Sequence, residues 1–195
     1  MNQTIELTLP AWIDAEVARL PATLPDVDQR MQAVIRFSQL NIEQQTGGPF
    51  AAGVFETDTG RLVAMGVNRV LASGCSSAHA EVMALSLAQL RTGSYDLGAV
   101  GQPAHQLVVN WRPCAMCYGA LVWSGVTSLV VAGDGPELES MTGFDEGPIH
   151  PDWEAQLLSR GISVTKNVLK TGAISVFRQF AESGATVYNG RGGLS

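Results

Sequence analysis

Apolar residues recur at helical spacing in Val27, Met31, Val34, Ile35, Leu40 and Ile42, and Gly47-Gly48-Pro49 stops the pattern, so a helix is predicted over 26–45. A shorter helix is predicted over 11–20, just after Pro10. The period then changes. Residues 50–56 and 61–68 are short apolar runs on either side of Asp58-Thr59-Gly60, which predicts a β-hairpin. Further on, helices are predicted over 78–91, 114–124, 152–160 and 171–183, and strands over 106–110, 127–132 and 162–168. Ser76 and Ser77 are the expected caps of the 78–91 helix. Residues 134–150 read as a Gly/Pro-containing loop with a short helix at most. Strands that alternate with helices predict an α/β protein with three layers, α/β/α.

No repeat, linker or low-complexity block divides the chain, and 195 residues suffice for one domain with a full core. That single domain, 1–195, carries an N-terminal extension over 1–25 and a Gly-rich tail over 185–195. Apolar residues make up 46% and charged residues 15%, which excludes a disordered chain. The net charge is −6 and the only lysines are Lys166 and Lys170, a poor match to a phosphate backbone, so no nucleic-acid partner is expected. No apolar run reaches the length of a membrane span, so no membrane partner is expected either. The N-terminus lacks a basic region followed by an apolar stretch, which predicts a cytoplasmic protein. Three cysteines do not make a disulfide framework and read instead as metal ligands or free thiols.

Two short motifs carry candidate chemistry: His79-Ala80-Glu81 and Pro113-Cys114-Ala115-Met116-Cys117, each at a predicted helix start. Cys114 and Cys117 are three apart and share a helix face, where the N-terminal N–H groups favour thiolates. His79 and Glu81 are two apart and would diverge mid-helix. At a helix start, side chains tilt towards the N-terminus, so both can flank a group lying beyond the helix end. One His and two Cys give three zinc ligands and leave a fourth position open for water, beside which Glu81 can move a proton. Two alternatives stay open at this point. Cys75 could complete a closed Cys₃His site with His79, Cys114 and Cys117, or Cys114 and Cys117 could be a redox pair. His105 and His150 read as surface residues without a role.

With these motifs in place, the chain resembles the cytidine deaminase superfamily of zinc-dependent nucleobase deaminases, and within it the guanine deaminases. The similarity spans most of 30–190. It takes in Gly47-Gly48-Pro49-Phe50, Asn68, both zinc motifs, Gly119-Ala120-Leu121-Val122-Trp123 and Gly143-Phe144-Asp145-Glu146-Gly147-Pro148. The resemblance implies a five-stranded mixed sheet whose last two strands are parallel. It implies one Zn²⁺ per chain on His79, Cys114 and Cys117, with Glu81 and Glu146 as catalytic acids. Asn68, Phe50, Ala80 and Trp123 would contact the substrate, with Phe50 and Trp123 on its faces. The tail would close the pocket through Tyr188, in the same chain or across a domain-swapped homodimer. The implied activity is hydrolytic deamination of a free nucleobase, guanine to xanthine plus ammonia. The alternatives are another small amino-heterocycle (a pterin, an amino-triazine or cytosine) or a non-catalytic zinc-stabilised interaction domain. One departure stands out: the family's acidic residue before Pro-Cys is Arg112 here, and the usually small residue before it is Trp111.

Overall fold

Gly60 adopts φ +70° and turns the chain between β1 (Ala51–Glu56) and β2 (Leu62–Val67), which pair antiparallel as the expected hairpin. A Cβ at Gly60 would lie 2.1 Å from the Leu24 carbonyl oxygen, so the turn also fits closely under the N-terminal segment. The computed structural model describes residues 3–190. The other strands are β3 (His105–Val109), β4 (Ser128–Val131) and β5 (Ser163–Thr165), and the sheet order is β2-β1-β3-β4-β5. β3 lies antiparallel to β1, whereas β3, β4 and β5 run parallel to one another. The fold is the expected three-layer α/β/α arrangement.

Side chains alternate across the sheet. Leu107, Val109, Leu129 and Val131 face one apolar core, while Val108 and Val130 face the other. The first core is covered by α4 (Ala80–Thr92), α5 (Ala115–Trp123) and α7 (Trp153–Leu158), through residues such as Ala84, Leu121 and Leu157. The second is covered by α2 (Val27–Glu43), α6 (Glu137–Thr142) and α8 (Lys170–Glu182), through Met31, Leu138 and Phe177 among others. The N-terminal extension joins this second core. Ile13 of α1 (Ile13–Val17) and Leu24 are both buried there, and Leu24 N–H donates to the Gly60 carbonyl.

Register brings four strand ends together. Val67 lies opposite Ala51, Ala52 opposite Val109, and Val109 beside Val131, so β1 begins where β2, β3 and β4 end. Buried Asn110 locks this edge: its Nδ2 donates to the Pro49 carbonyl at 2.8 Å and its Oδ1 accepts from Ala51 N–H at 3.1 Å. Gly66 lets α4 settle directly on β2, because a Cβ there would meet the Ala80 carbonyl oxygen at 2.4 Å. The start of α4 is thereby fixed against the same end of the sheet.

The differences from expectation are local. β5 spans three residues rather than 162–168, because Lys166 leaves the strand to pair with Asp134 and Glu154. One turn of helix, α3 (Val70–Ser73), was not foreseen, being too short to show a period. α4 is capped by His79 rather than by Ser76 or Ser77, which lie in the preceding turn. His105 is fully buried in β3, with Nδ1 against the Leu97 carbonyl at 2.8 Å, and is not a surface residue; His150 is exposed. Among the described residues, no helix is long and apolar enough to cross a membrane.

Candidate active site

Both sequence motifs open helices. His79 is the N-cap of α4 and Cys114 the N-cap of α5, each with extended backbone. A cap residue lies outside the helical spiral, which is why His79 and Glu81 can address one point despite their spacing of two. Cys117 sits one turn into α5, behind Cys114 and fully buried. The ligand atoms of His79, Cys114 and Cys117 lie within 4.8 Å of one another. His79 Nδ1 is 3.5 Å from Cys114 Sγ, against about 3.6 Å for the N···S edge of a tetrahedron built from ordinary Zn–N and Zn–S bonds. The donor set and its spacing fit one tetrahedral zinc ion. Cys75 stands apart, half-exposed with its sulfur against the Ser77 hydroxyl at 3.2 Å, so it does not close the site.

The electrostatics suit a cation. Cys114 is pulled down to about 4, chiefly by a hydrogen bond from Cys117, with further help from His79 and the Cys117 N–H. Cys117 is pushed well above the usual thiol range by giving that bond and by burial. Both cysteines must be thiolates to hold zinc, so metal binding releases protons from this pair. Glu81, 6% exposed, is raised to about 7 by burial and then by the negative charge on Cys114. Glu146, 9% exposed, is raised to about 8 by burial, Cys114 and Glu81, in that order.

His79, Cys114, Glu81 and Glu146 face a small cavity of about 80 Å³, which Phe50, Asn68, Ala80 and Tyr188 also line. That is far below the roughly 300–1,000 Å³ of sites for drug-sized ligands, and suits a single heterocycle. Asn68, at the end of β2, is 8% exposed. Its Oδ1 accepts from Val70 N–H at 3.4 Å and its backbone carbonyl accepts from Asn41 Nδ2 at 3.0 Å. Phe50, at the start of β1, meets Phe144 edge-on with centroids 5.1 Å apart, and Phe144 stacks on Phe180 at 5.4 Å.

Trp123 is not brought to this cavity. It ends α5 on the outer surface, 85% exposed, beside a separate depression lined by Asp96, Gly98 and Arg160. Within its own chain Trp123 therefore does not face the substrate pocket as expected, because the helix runs away from the pocket after Cys117. Phe144 and Trp111 supply the additional aromatic walls instead. Neither residue is marked as a pocket wall by its position in the sequence alone. An aromatic directly before an acid pair, in a Gly-flanked loop, was the signal for Phe144. Arg112 donates from Nη1 to the Asp134 carbonyl at 2.9 Å, so a backbone oxygen at the end of β4 receives its charge. Thr186, Tyr188, Asn189 and Gly190 line the pocket of their own chain. The last part of the tail assignment, residues 191–195, lies outside the described residues.

Comparison with known proteins agrees with this geometry. Residues 26–133 match the family described as the cytidine and deoxycytidylate deaminase zinc-binding region. The chain is similar to the guanine deaminase of Bacillus subtilis (strain 168), 32% identical over 106 residues that cover 54% of this chain. The chain spans 63% of that relative's length. The structure is similar to that of the guanine deaminase from Nitrosomonas europaea, with 43% identity, TM-score 0.88, and coverage of 93% of this chain and 98% of that one. It is also similar to a structure solved in complex with 2,6-diaminopurine, with 43% identity, TM-score 0.89, and coverage of 98% of this chain and 100% of that one.

Proposed function

The chain belongs to the cytidine and deoxycytidylate deaminase family of zinc-dependent enzymes, and from that premise we propose that it hydrolyses guanine to xanthine and ammonia. One observation carries the reading: two buried carboxyl groups, Glu81 and Glu146, face the same small pocket as His79 and Cys114, behind which Cys117 completes the ligand trio. The similarity to the guanine deaminase from Nitrosomonas europaea over 93% of this chain supports the choice of ring.

In this reading His79, Cys114 and Cys117 hold zinc, which supplies Lewis-acid activation of a water molecule. Glu81 takes a proton from the attacking water and delivers it to the departing amine, so that ammonia leaves as the C2–N bond breaks. The burial that raises Glu146 would be offset by a bound zinc cation, and as a carboxylate Glu146 would accept hydrogen bonds from the 2-amino group and the adjacent ring N–H of guanine, a pair of donors that one carboxylate can receive together. Asn68 offers a donor and an acceptor to the mixed polar edge of the purine. Phe50 packs on the ring, and the first turn of α4, beginning at Ala80, presents N–H groups without helical acceptors. Tyr188 covers the mouth and keeps bulk water out.

The test is a coupled ammonia assay over guanine, adenine, cytosine, a pterin and an amino-triazine. Guanine is expected to give the highest kcat/KM. A ring that leaves Asn68 unpaired should lose roughly 5- to 150-fold. Guanine left untouched while another ring releases ammonia would replace the substrate assignment.

The same reading makes the protein a cytoplasmic homodimer acting in purine catabolism. Support for the dimer comes from α5, Ala-Met-Cys-Tyr-Gly-Ala-Leu-Val-Trp, which is apolar throughout although only Cys117 and Leu121 are buried. A helix apolar on every side is normally covered, and a second copy laid on Met116 and Trp123 would cover this one. Trp123→Glu should convert a dimer to a monomer in light scattering. A monomeric wild type, or a variant of unchanged mass, would remove α5 as the interface.

A further inference from the structure

The loop that carries Glu146 has almost no regular structure of its own, and one side chain of the tail grips it. Asn189 Nδ2 donates to the Gly143 carbonyl at 2.8 Å, and Asn189 Oδ1 accepts from Asp145 N–H at 2.9 Å. The two backbone groups flank Phe144, so the carboxamide spans that residue much as a neighbouring strand would. Two further ties hold the loop on the other side of Glu146. Asp145 Oδ1 accepts from Gly147 N–H at 2.8 Å, and the Glu146 carbonyl accepts from Ala115 N–H at 3.0 Å, next to Cys114. Remove Asn189 and the backbone of the loop keeps these two ties and the bond from Phe144 N–H to Thr142 Oγ1 at 3.3 Å, beside the packing of the Phe144 ring on Phe50 and Phe180. Remove the tail's other residues and the grip has no anchor.

We propose that Asn189 is a positioning residue that couples closure of the tail to placement of the Glu146 carboxyl and the Phe144 ring. The inference rests on the guanine-deaminase reading above and adds an ordering to it. When the tail swings away to exchange substrate and product, both bonds to the loop break together. Glu146 then loses the restraint on the Gly143–Asp145 side of its loop, and the site is complete only while it is covered. Such coupling confines proton handling to the closed, water-excluding state. Gly184, at φ +68° just beyond the α8 cap Ser183, supplies a pivot for the tail.

Two readouts test this, and only one of them needs turnover. In zinc-loaded Asn189→Ala, hydrogen exchange of the 143–147 amides is expected to speed up, while zinc content and melting temperature stay as in wild type. Unchanged exchange would overturn the grip itself, whatever the substrate proves to be. The second readout is a double-mutant cycle with Glu146→Gln on guanine, or on whichever ring releases ammonia. Asn189→Ala should lower kcat roughly 10- to 100-fold in the wild-type background, the scale of a misplaced catalytic group. In the Glu146→Gln background the same change should cost less than about 2-fold, because positioning matters only if the acid is there. Equal losses in both backgrounds, or a rise in KM with kcat unchanged, would reduce Asn189 to a tail fastener. Asn189→Asp keeps the acceptor for Asp145 N–H and loses the donor to Gly143, so it should fall between the two.

Discussion

Glu81→Gln protein is expected to fold and bind zinc like the wild type, yet to release ammonia from guanine more slowly by at least the roughly 10²–10⁴-fold that one positioned acid–base group contributes. Glu81 is the second residue of α4, two beyond the cap His79, and is 6% exposed at the pocket floor. Glutamine keeps the volume and can still accept a hydrogen bond, so packing around α4 is preserved. It cannot take a proton from water and return it to nitrogen. Glu81 is also outside the trio whose ligand atoms cluster within 4.8 Å, so metal content should not change. The check is zinc by mass spectrometry alongside kcat on the same preparation. Turnover within about 10-fold of wild type in a zinc-loaded Glu81→Gln sample is far short of that range and would take Glu81 out of the proton path. Loss of zinc would show that it serves as a ligand instead.

The layers, the hairpin and both helix-capping motifs were legible because each depends on local information. Short apolar runs mark β1 to β4, period-3.6 runs mark α2 and α8, and the metal motifs declare themselves by spacing at helix starts. The pocket walls were less legible because they are made by residues far apart in the chain. Trp123 lies in an apolar run that looks continuous with the zinc helix, and only the helix axis shows that it ends on the surface. Phe144 reaches Phe50 across 93 intervening positions, by way of a loop that carries no periodicity. Trp111 is the clearest case. It is 1% exposed, and its ring occupies the space above Gly133, where a Cβ would approach to 2.4 Å. A bulky residue at the end of β3 is thus matched by a glycine after β4, a complementarity across neighbouring strands that the sequence does not display. Its NH donates to the Gly135 carbonyl and Lys170 lies over its face at 5.7 Å, so the departure before Pro113 is absorbed by packing.

Cys117→Ser is expected to lose zinc and activity together, whereas Cys75→Ser keeps both. The contrast separates a ligand from a bystander among three free cysteines. Cys117 is fully buried one turn into α5, with its sulfur beside both Cys114 and Glu81. A serine hydroxyl there is smaller, and a neutral oxygen replaces the soft thiolate that zinc favours. Disturbing the outer hydrogen-bond partner of a ligand already costs about 10–100-fold in metal affinity, and replacing one of three protein ligands should cost more. Retained zinc stabilises the native state by mass action, so the Cys117 variant should also melt at a lower temperature, by an amount that excess zinc does not restore. Chelator treatment of the wild type should reproduce that lower melting temperature and be reversed by added zinc. Cys75 contacts only the Ser77 side of its turn and lies outside the ligand group, so its hydroxyl analogue should leave about one zinc per chain. Loss of zinc from Cys75→Ser would mean that the site is a closed four-ligand centre, and the open position on which hydrolysis depends would be gone.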